Sequence, residues 1–167
     1  MVTMSLRARL AALLAVLCLP LPAHARGLEA EVLAELNYAR ANPARYADEL
    51  SRGGWALRDE DPYVVDEAIG FLLAQRPLPP LQAHSGLAAR LKSQGVWAGM
   101  SAETISYGYA SAREVVVQLI VDSRVANRGH RKTIFGAGYS LAGVACGPHS
   151  AYGAMCVIDF AGALAPR

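Results

Sequence analysis

Glu103-Thr104-Ile105-Ser106-Tyr107-Gly108 runs through Ser111-Ala112-Arg113-Glu114 into Val115-Val116-Val117-Gln118-Leu119-Ile120-Val121-Asp122. It is followed closely by Arg128-Gly129-His130-Arg131, and this is the stretch on which the fold turns. Thr104 to Tyr109 predicts a strand, because threonine, isoleucine and tyrosine suit a pleated surface. Ser111 and Glu114 have the spacing of a capping box and predict the start of a helix. Val115, Val116, Leu119 and Ile120 form its apolar face, and with so many β-branched side chains tertiary packing must hold it. Asn127 to Phe135 reads as a turn followed by a short helix.

Outward from this unit the pattern is helical on one side and extended on the other. Leu28, Val32, Leu33, Leu36 and Ala39 recur at spacings of three and four, predicting a helix over Leu28 to Arg40. Asn42-Pro43 ends that helix and starts a second, with Tyr46 and Leu50 on its buried side. Ser51 to Pro62 reads as a loop. Val65 to Gln75 reads as a helix stopped by Pro77 and Pro79-Pro80. Ser85 opens a further helix to about Gln94, with Leu87, Ala88 and Leu91 inward, and Val96 to Ala102 carries no clear pattern. Beyond Gly136 and Gly138, Tyr139 to Cys146 and Tyr152 to Ala161 read as strands joined around Gly147-Pro148. That connection is too short for a parallel crossover, so an antiparallel hairpin is expected. The class expected is α/β of the α+β kind: a small antiparallel sheet covered by helices.

Residues 1–25 read as a signal peptide. Arg7 and Arg9 precede an apolar run from Leu10 to Leu21, Pro20 and Pro22 break it, and Ala23-His24-Ala25 fits a cleavage triplet. The run is short for a bilayer span. Cys18 follows the bulky Leu17, which argues against lipid attachment. Cleavage after Ala25 leaves a single domain over 26–167, released as a secreted protein, extracellular or periplasmic, without stable membrane insertion. Of the 16 basic side chains, Arg7 and Arg9 lie in the leader, so the remainder balances the 14 acidic ones and the formal net charge becomes zero. No basic field remains to collect phosphates, which excludes nucleic acid as the expected partner. Cys146 and Cys156 are then the remaining cysteines, and in an oxidising compartment a disulfide is expected. Two reduced core cysteines and a metal pair are the alternatives.

Glu103, Asp122 and His130 are the candidate site residues. Asp122 lies at the edge of the helical stripe near its C-terminus, where the helix dipole disfavours an anion. It either points into a cleft or pairs with Arg124, Arg128 or Arg131. His130, after Gly129, could be a metal ligand, a base or a hydrogen-bonding wedge. Glu103 is either a second wall of the same site or an exposed acid at a strand end. Histidine with carboxylates can hold zinc with a position left open. There is no His-Glu-x-x-His helix, no Gly-x-Ser-x-Gly elbow and no phosphate-binding glycine loop.

Several motifs in this order carry a resemblance: Leu36-Asn37-x-x-Arg40-x-Asn42-Pro43 with Tyr46, Arg76-Pro77-Leu78-Pro79-Pro80-Leu81, Leu87-Ala88, and Glu103-Thr104-Ile105-x-Tyr107-Gly108. They continue with Val115 to Asp122, Arg128-Gly129-His130-Arg131-Lys132, and Gly143-Val144-Ala145-Cys146 through Phe160-Ala161-Gly162. Over most of residues 26–167 the chain resembles the bacterial branch of the CAP superfamily, the SCP-like extracellular domains related to cysteine-rich secretory, antigen 5 and pathogenesis-related-1 proteins. The resemblance implies a three-layer α-β-α sandwich and a central cleft of two histidines and two acids that in several members binds a divalent ion. By motif, Glu103, Asp122 and His130 match three of those four positions, with Thr104 where asparagine is usual. The second histidine has no counterpart between Gly95 and Ala102, and His84 lies at the start of the preceding helix. The expectation is a secreted, non-enzymatic binding or interaction module with an incomplete cleft. No cofactor is required, and any divalent metal such as zinc is bound weakly through Glu103 and His130. Its partner is a small molecule, a lipid, or an envelope or extracellular protein. The alternatives are a metal-assisted, peptidase-like hydrolase and a structural envelope protein.

Overall fold

Proline at the first helical position starts two of the helices, because its fixed φ suits that position and its missing N–H costs nothing there. Pro43 opens α2 (Pro43–Ser51) directly after α1 (Leu28–Ala41), and Pro62 opens α3 (Pro62–Leu73). The computed structural model describes residues 27–54, 57–87, 97–98, 100–162 and 164–165. The expected leader over 1–25, and the helix expected from Ser85 from residue 88 onward, lie outside the described residues. α3 begins earlier than its apolar pattern indicates, because the Asp61 side chain accepts from the Tyr63 amide at 2.9 Å and caps it.

The capping box forms as expected: Ser111 Oγ accepts from the Glu114 amide and Glu114 accepts from the Ser111 amide at the start of α4 (Ala112–Val121). Val117 and Val121 are buried along with the four residues of the expected face. α4 is therefore a core helix rather than a surface one, with α1, α3 and the sheet packed around it. A further helix, α5 (Gly129–Ile134), follows.

The main sheet has the order β1-β4-β5-β3, formed by β1 (Gln82–Ala83), β4 (Leu141–His149), β5 (Gly153–Ala161) and β3 (Ser101–Tyr107). β4 and β5 form the expected antiparallel hairpin, but Gly147 and Pro148, expected in the connection, pair within β4 and the turn lies at residues 150–152; β3 pairs antiparallel with β5. The sheet is not wholly antiparallel, since β1 runs parallel to β4. Asn37 of α1 fixes the approach to β1: its amide group accepts from the Leu81 N–H at 2.7 Å and donates to the Leu81 carbonyl at 3.0 Å. The patternless stretch from Val96 to Ala102 contains β2 (Trp97–Ala98), paired with β6 (Leu164–Ala165), and the first residues of β3. The result is a mixed α/β fold with helices and a small, mainly antiparallel four-stranded sheet.

Register places Ala142 opposite Phe160, Val144 opposite Ile158 and Cys146 opposite Cys156, all on one face. That face joins Val32, Leu36, Val115, Leu119 and Ile120 in a single apolar core. Cys146 and Cys156 are disulfide-bonded across directly opposed positions, with Cα atoms 4.1 Å apart. Thr104 and Ser106 of β3 point to the same core face, and among the described residues neither hydroxyl has a hydrogen-bond partner. On the opposite face, a Cβ at Gly143 would lie 2.8 Å from Leu87 Cβ and 2.9 Å from the His84 carbonyl. The chain around His84 and Leu87 thus covers that side closely, and only glycine fits beneath it.

Candidate functional site

The site grows from the end of α4. Asp122 closes the helix in the left-handed conformation (φ 57°, ψ 35°), which aspartate tolerates better than most residues. This turn sends its buried carboxylate back toward α5. One oxygen accepts from the His130 amide at 3.0 Å and the Arg131 amide at 3.3 Å, and the other takes Nδ1 of His130 at 2.9 Å. A carboxylate at the first amides of a helix is favourably placed. The unfavourable position expected for an anion at the C-terminus of α4 is resolved by turning it onto the N-terminus of α5.

Of the two alternatives for Asp122, pairing with an arginine side chain is not seen among the described residues. Arg128 and Arg131 instead satisfy the carbonyls that the end of α4 leaves without partners. Arg131, itself buried, donates from Nε to the Ile120 carbonyl and from Nη2 to the Val121 carbonyl at 2.7 Å. Arg128 donates from Nη1 to the carbonyls of Asp122, Ser123 and Val125 at 3.0 to 3.2 Å. The carboxylate that neutralises both belongs to Glu67 of α3, 2.9 Å from Arg128 Nη2 and 3.2 Å from Arg131 Nη1. The hydrogen bond from Arg128 and the charges of both arginines hold Glu67 below the usual carboxylate range, while burial pulls Arg131 down. The left-handed residue of the Arg128-Gly129 step is Arg128 (φ 53°), and the glycine's φ is not positive. Arg128 adopts this conformation with its guanidinium anchored at both ends.

His130 is thereby oriented. Its Nδ1 faces a carboxylate, which in the neutral ring assigns the proton to Nδ1 and leaves Nε2 with a lone pair. Nε2 has no hydrogen-bond partner among the described residues, and His130 lines a cavity of about 430 Å³. Glu103 lines the same cavity from β3, so the structure brings these two expected residues together. Asp122 does not line it and stands behind His130 as the group that positions the imidazole. His84 is remote: it follows β1, at the opposite edge of the sheet from β3, and its amide donates to the Ala142 carbonyl.

The remaining walls were not singled out from sequence. Ile105 and Tyr107 follow Glu103 at intervals of two on the same face of β3, and Glu60, Tyr109, Gln118, Ser123, Arg124 and Tyr152 add the other polar and aromatic side chains of the lining. Period-two alternation along β3 was the available signal, since it puts Glu103, Ile105 and Tyr107 on one face. Gly108, with φ 85°, turns the chain between Tyr107 and Tyr109. Burial, and then the nearby Glu60 carboxylate, push the Tyr109 phenol up.

The arrangement presents an aspartate-oriented imidazole, a carboxylate and phenolic rings to one cavity. Among the described residues no hydroxyl or thiol is hydrogen-bonded to His130 Nε2. A zinc centre requires three protein ligands or more. Among the described residues no such group of histidine, cysteine, aspartate or glutamate side chains is arranged to hold a metal. Glu60, Glu103 and His130 line the cavity, and both oxygens of Asp122 are already engaged. Among the described residues these side chains do not meet as a three-ligand zinc centre requires. No described helix is long and apolar enough to cross a membrane. No family model matches the chain, and no curated protein or solved structure matches it significantly.

Proposed function

We propose that the chain is an exported, non-enzymatic binding module of the CAP type, which holds a small ligand in the cavity beside His130. The observation that carries this reading is the cavity itself: His130, oriented by Asp122, and Glu103 share it with an aromatic lining. Pockets that recognise small molecules combine a largely apolar or aromatic wall with a few placed polar groups. The CAP-like, three-layer arrangement is part of the proposal. In its support, helices cover the Ile158 face of the sheet, and the chain at His84 and Leu87 approaches Gly143 from the other. Export rests on the leader pattern over residues 1–25.

The test has two parts. N-terminal sequencing of the protein recovered outside expressing cells is expected to begin at Arg26. Amide NMR shifts during a metabolite and lipid screen are expected to move at Glu103, Tyr107 and His130 without turnover of the bound compound. A product peak that disappears in His130→Ala, with or without added zinc, refutes the non-enzymatic reading.

One observation favours a second reading. An imidazole held by a carboxylate at Nδ1 is the arrangement of a general base, so hydrolysis remains the alternative. It predicts turnover of peptide or ester substrates that depends on both Asp122 and His130.

A further inference from the structure

We propose that the cavity is a saccharide site, one that selects hydroxyl- and ammonium-bearing sugars over acidic ones. The inference rests on the binding-module reading and names its ligand class. Its basis is the chemistry that the lining presents.

Carboxylates outnumber cations in the polar wall. Glu60 and Glu103 contribute carboxylates, and the Asp122 contact at Nδ1 makes His130 Nε2 an acceptor in the neutral ring. Gln118 adds a side-chain oxygen that is buried and has no partner among the described residues. Arg124 is the cationic side chain in the lining, set against the two carboxylates. That balance suits a ligand rich in O–H and N–H donors. It disfavours a phosphate, a sulfate or a uronic acid.

The aromatic wall supplies the complementary half. Tyr107 and Tyr152 lie with ring centroids 5.1 Å apart, and His149 packs against them at 5.3 and 5.1 Å. His149 Nδ1 accepts from the Ala151 and Tyr152 amides at the hairpin tip, which holds this cluster in place. Tyr152 is 60% exposed and Tyr107 39%, so the rings form a platform at the cavity mouth. A pyranose has a C–H face to lie on such a platform and a rim of hydroxyls to reach the acceptors. Tyr107 and Tyr152 touch each other, so no gap between them can enclose an ammonium as a cage. A lipid chain would meet Ile105 and Val125 as the aliphatic side chains of the lining, which is a thin apolar wall for a long tail.

The experiment is calorimetry and amide NMR on the exported protein with glucosamine, glucose and galacturonic acid trimers, with oleate and a sterol as apolar probes. Glucosamine trimer is expected to bind best, with shifts at Tyr107, His130 and Tyr152. Tyr152→Ala is expected to weaken binding at least tenfold, and Glu103→Gln to reduce the preference for glucosamine over glucose. Both changed side chains are exposed, so circular dichroism should show folded variants. Equal or tighter binding of the galacturonic acid trimer overturns the proposal. So does occupation of the cavity by oleate or sterol with no saccharide effect, an outcome that leaves the binding-module reading standing. If none of the probes shifts the cavity amides, the saccharide assignment falls. If the glucosamine trimer is cleaved, the non-enzymatic reading falls and the saccharide site stands.

Discussion

Replacing Asp122 tests the centre of the site, because one buried carboxylate both begins α5 and sets the proton on His130. In Asp122→Ala, the amides of His130 and Arg131 and the Nδ1–H of His130 lose their acceptor. Leaving a buried donor unpaired costs roughly 1–3 kcal/mol. Of these donors the Arg131 amide is fully buried, while the His130 amide and ring are half-buried and can reach water, giving about 2 kcal/mol in total. Alanine in the left-handed conformation (φ 57°) adds about 1 kcal/mol. Asp122→Gly removes that last contribution and should recover about 1 kcal/mol of the loss.

Asp122→Asn is the sharper variant. Asparagine tolerates the left-handed turn and keeps one oxygen for the two amides, so its cost should be about 1–2 kcal/mol from loss of charge alone. Its NH2 group then faces His130 Nδ1, which must accept, and the ring proton moves to Nε2. The cavity wall changes from an acceptor to a donor at that atom. Urea unfolding measures the stabilities, and long-range proton–nitrogen NMR of the imidazole reads the tautomer. The reasoning is refuted if Asp122→Ala costs less than about 1 kcal/mol, or if the His130 proton sits on the same nitrogen in the native protein and in the Asp122→Asn variant.

Glu67 has its carboxylate held down by Arg128 and Arg131, so the stability it contributes is present above the ordinary glutamate value of 4.5 and is lost as pH falls through its lower folded value. The native protein should therefore exceed Glu67→Gln in urea midpoint at pH 7, with the gap closing as pH falls below 4.5; a gap that stays constant below that pH contradicts this. Replacing Cys146 and Cys156 together with alanine should cost about 3 kcal/mol for so short a loop, and the difference from the native protein should shrink in reductant. Thr104→Val removes a buried hydroxyl that has no partner among the described residues, and should leave urea stability unchanged or raise it by about 1 kcal/mol. A loss of that size would reveal a partner for Thr104. Asn37→Ala abolishes both bonds to Leu81 and should cost about 2 kcal/mol in the same assay.

The helices were legible because their signals are local. Pro43 marks the first residue of α2, Ser111 and Glu114 cap α4, and the spacing from Leu28 to Ala39 marks the inner face of α1. The β4–β5 hairpin was legible from its short connection, and so was the Cys146–Cys156 pair. The parallel pairing of β1 with β4 was not. Two residues carry no strand pattern, and their pairing depends on Asn37, which is 44 positions before Leu81. The tyrosine wall was missed for a related reason. Tyr107 lies on β3 and Tyr152 in the turn between β4 and β5, and only the register of β3 against β5 and the tip of the hairpin bring their rings into contact.

Glu103, Asp122 and His130 were therefore visible in the sequence as chemistry without an arrangement. The residue types determined what each side chain could do, and the capping and spacing rules determined which helix or strand would carry it. Whether Asp122 would pair with an arginine or with His130 was a choice among partners that sequence distance cannot rank. Glu67, from α3, takes both Arg128 and Arg131, whose remaining N–H groups satisfy the carbonyls at the end of α4. The Asp122 carboxylate is then left to the first amides of α5 and the imidazole. That division is decided by the packing of α3 against α4, because every buried charge and every open helix end must find its partner among groups that only the folded chain brings within reach.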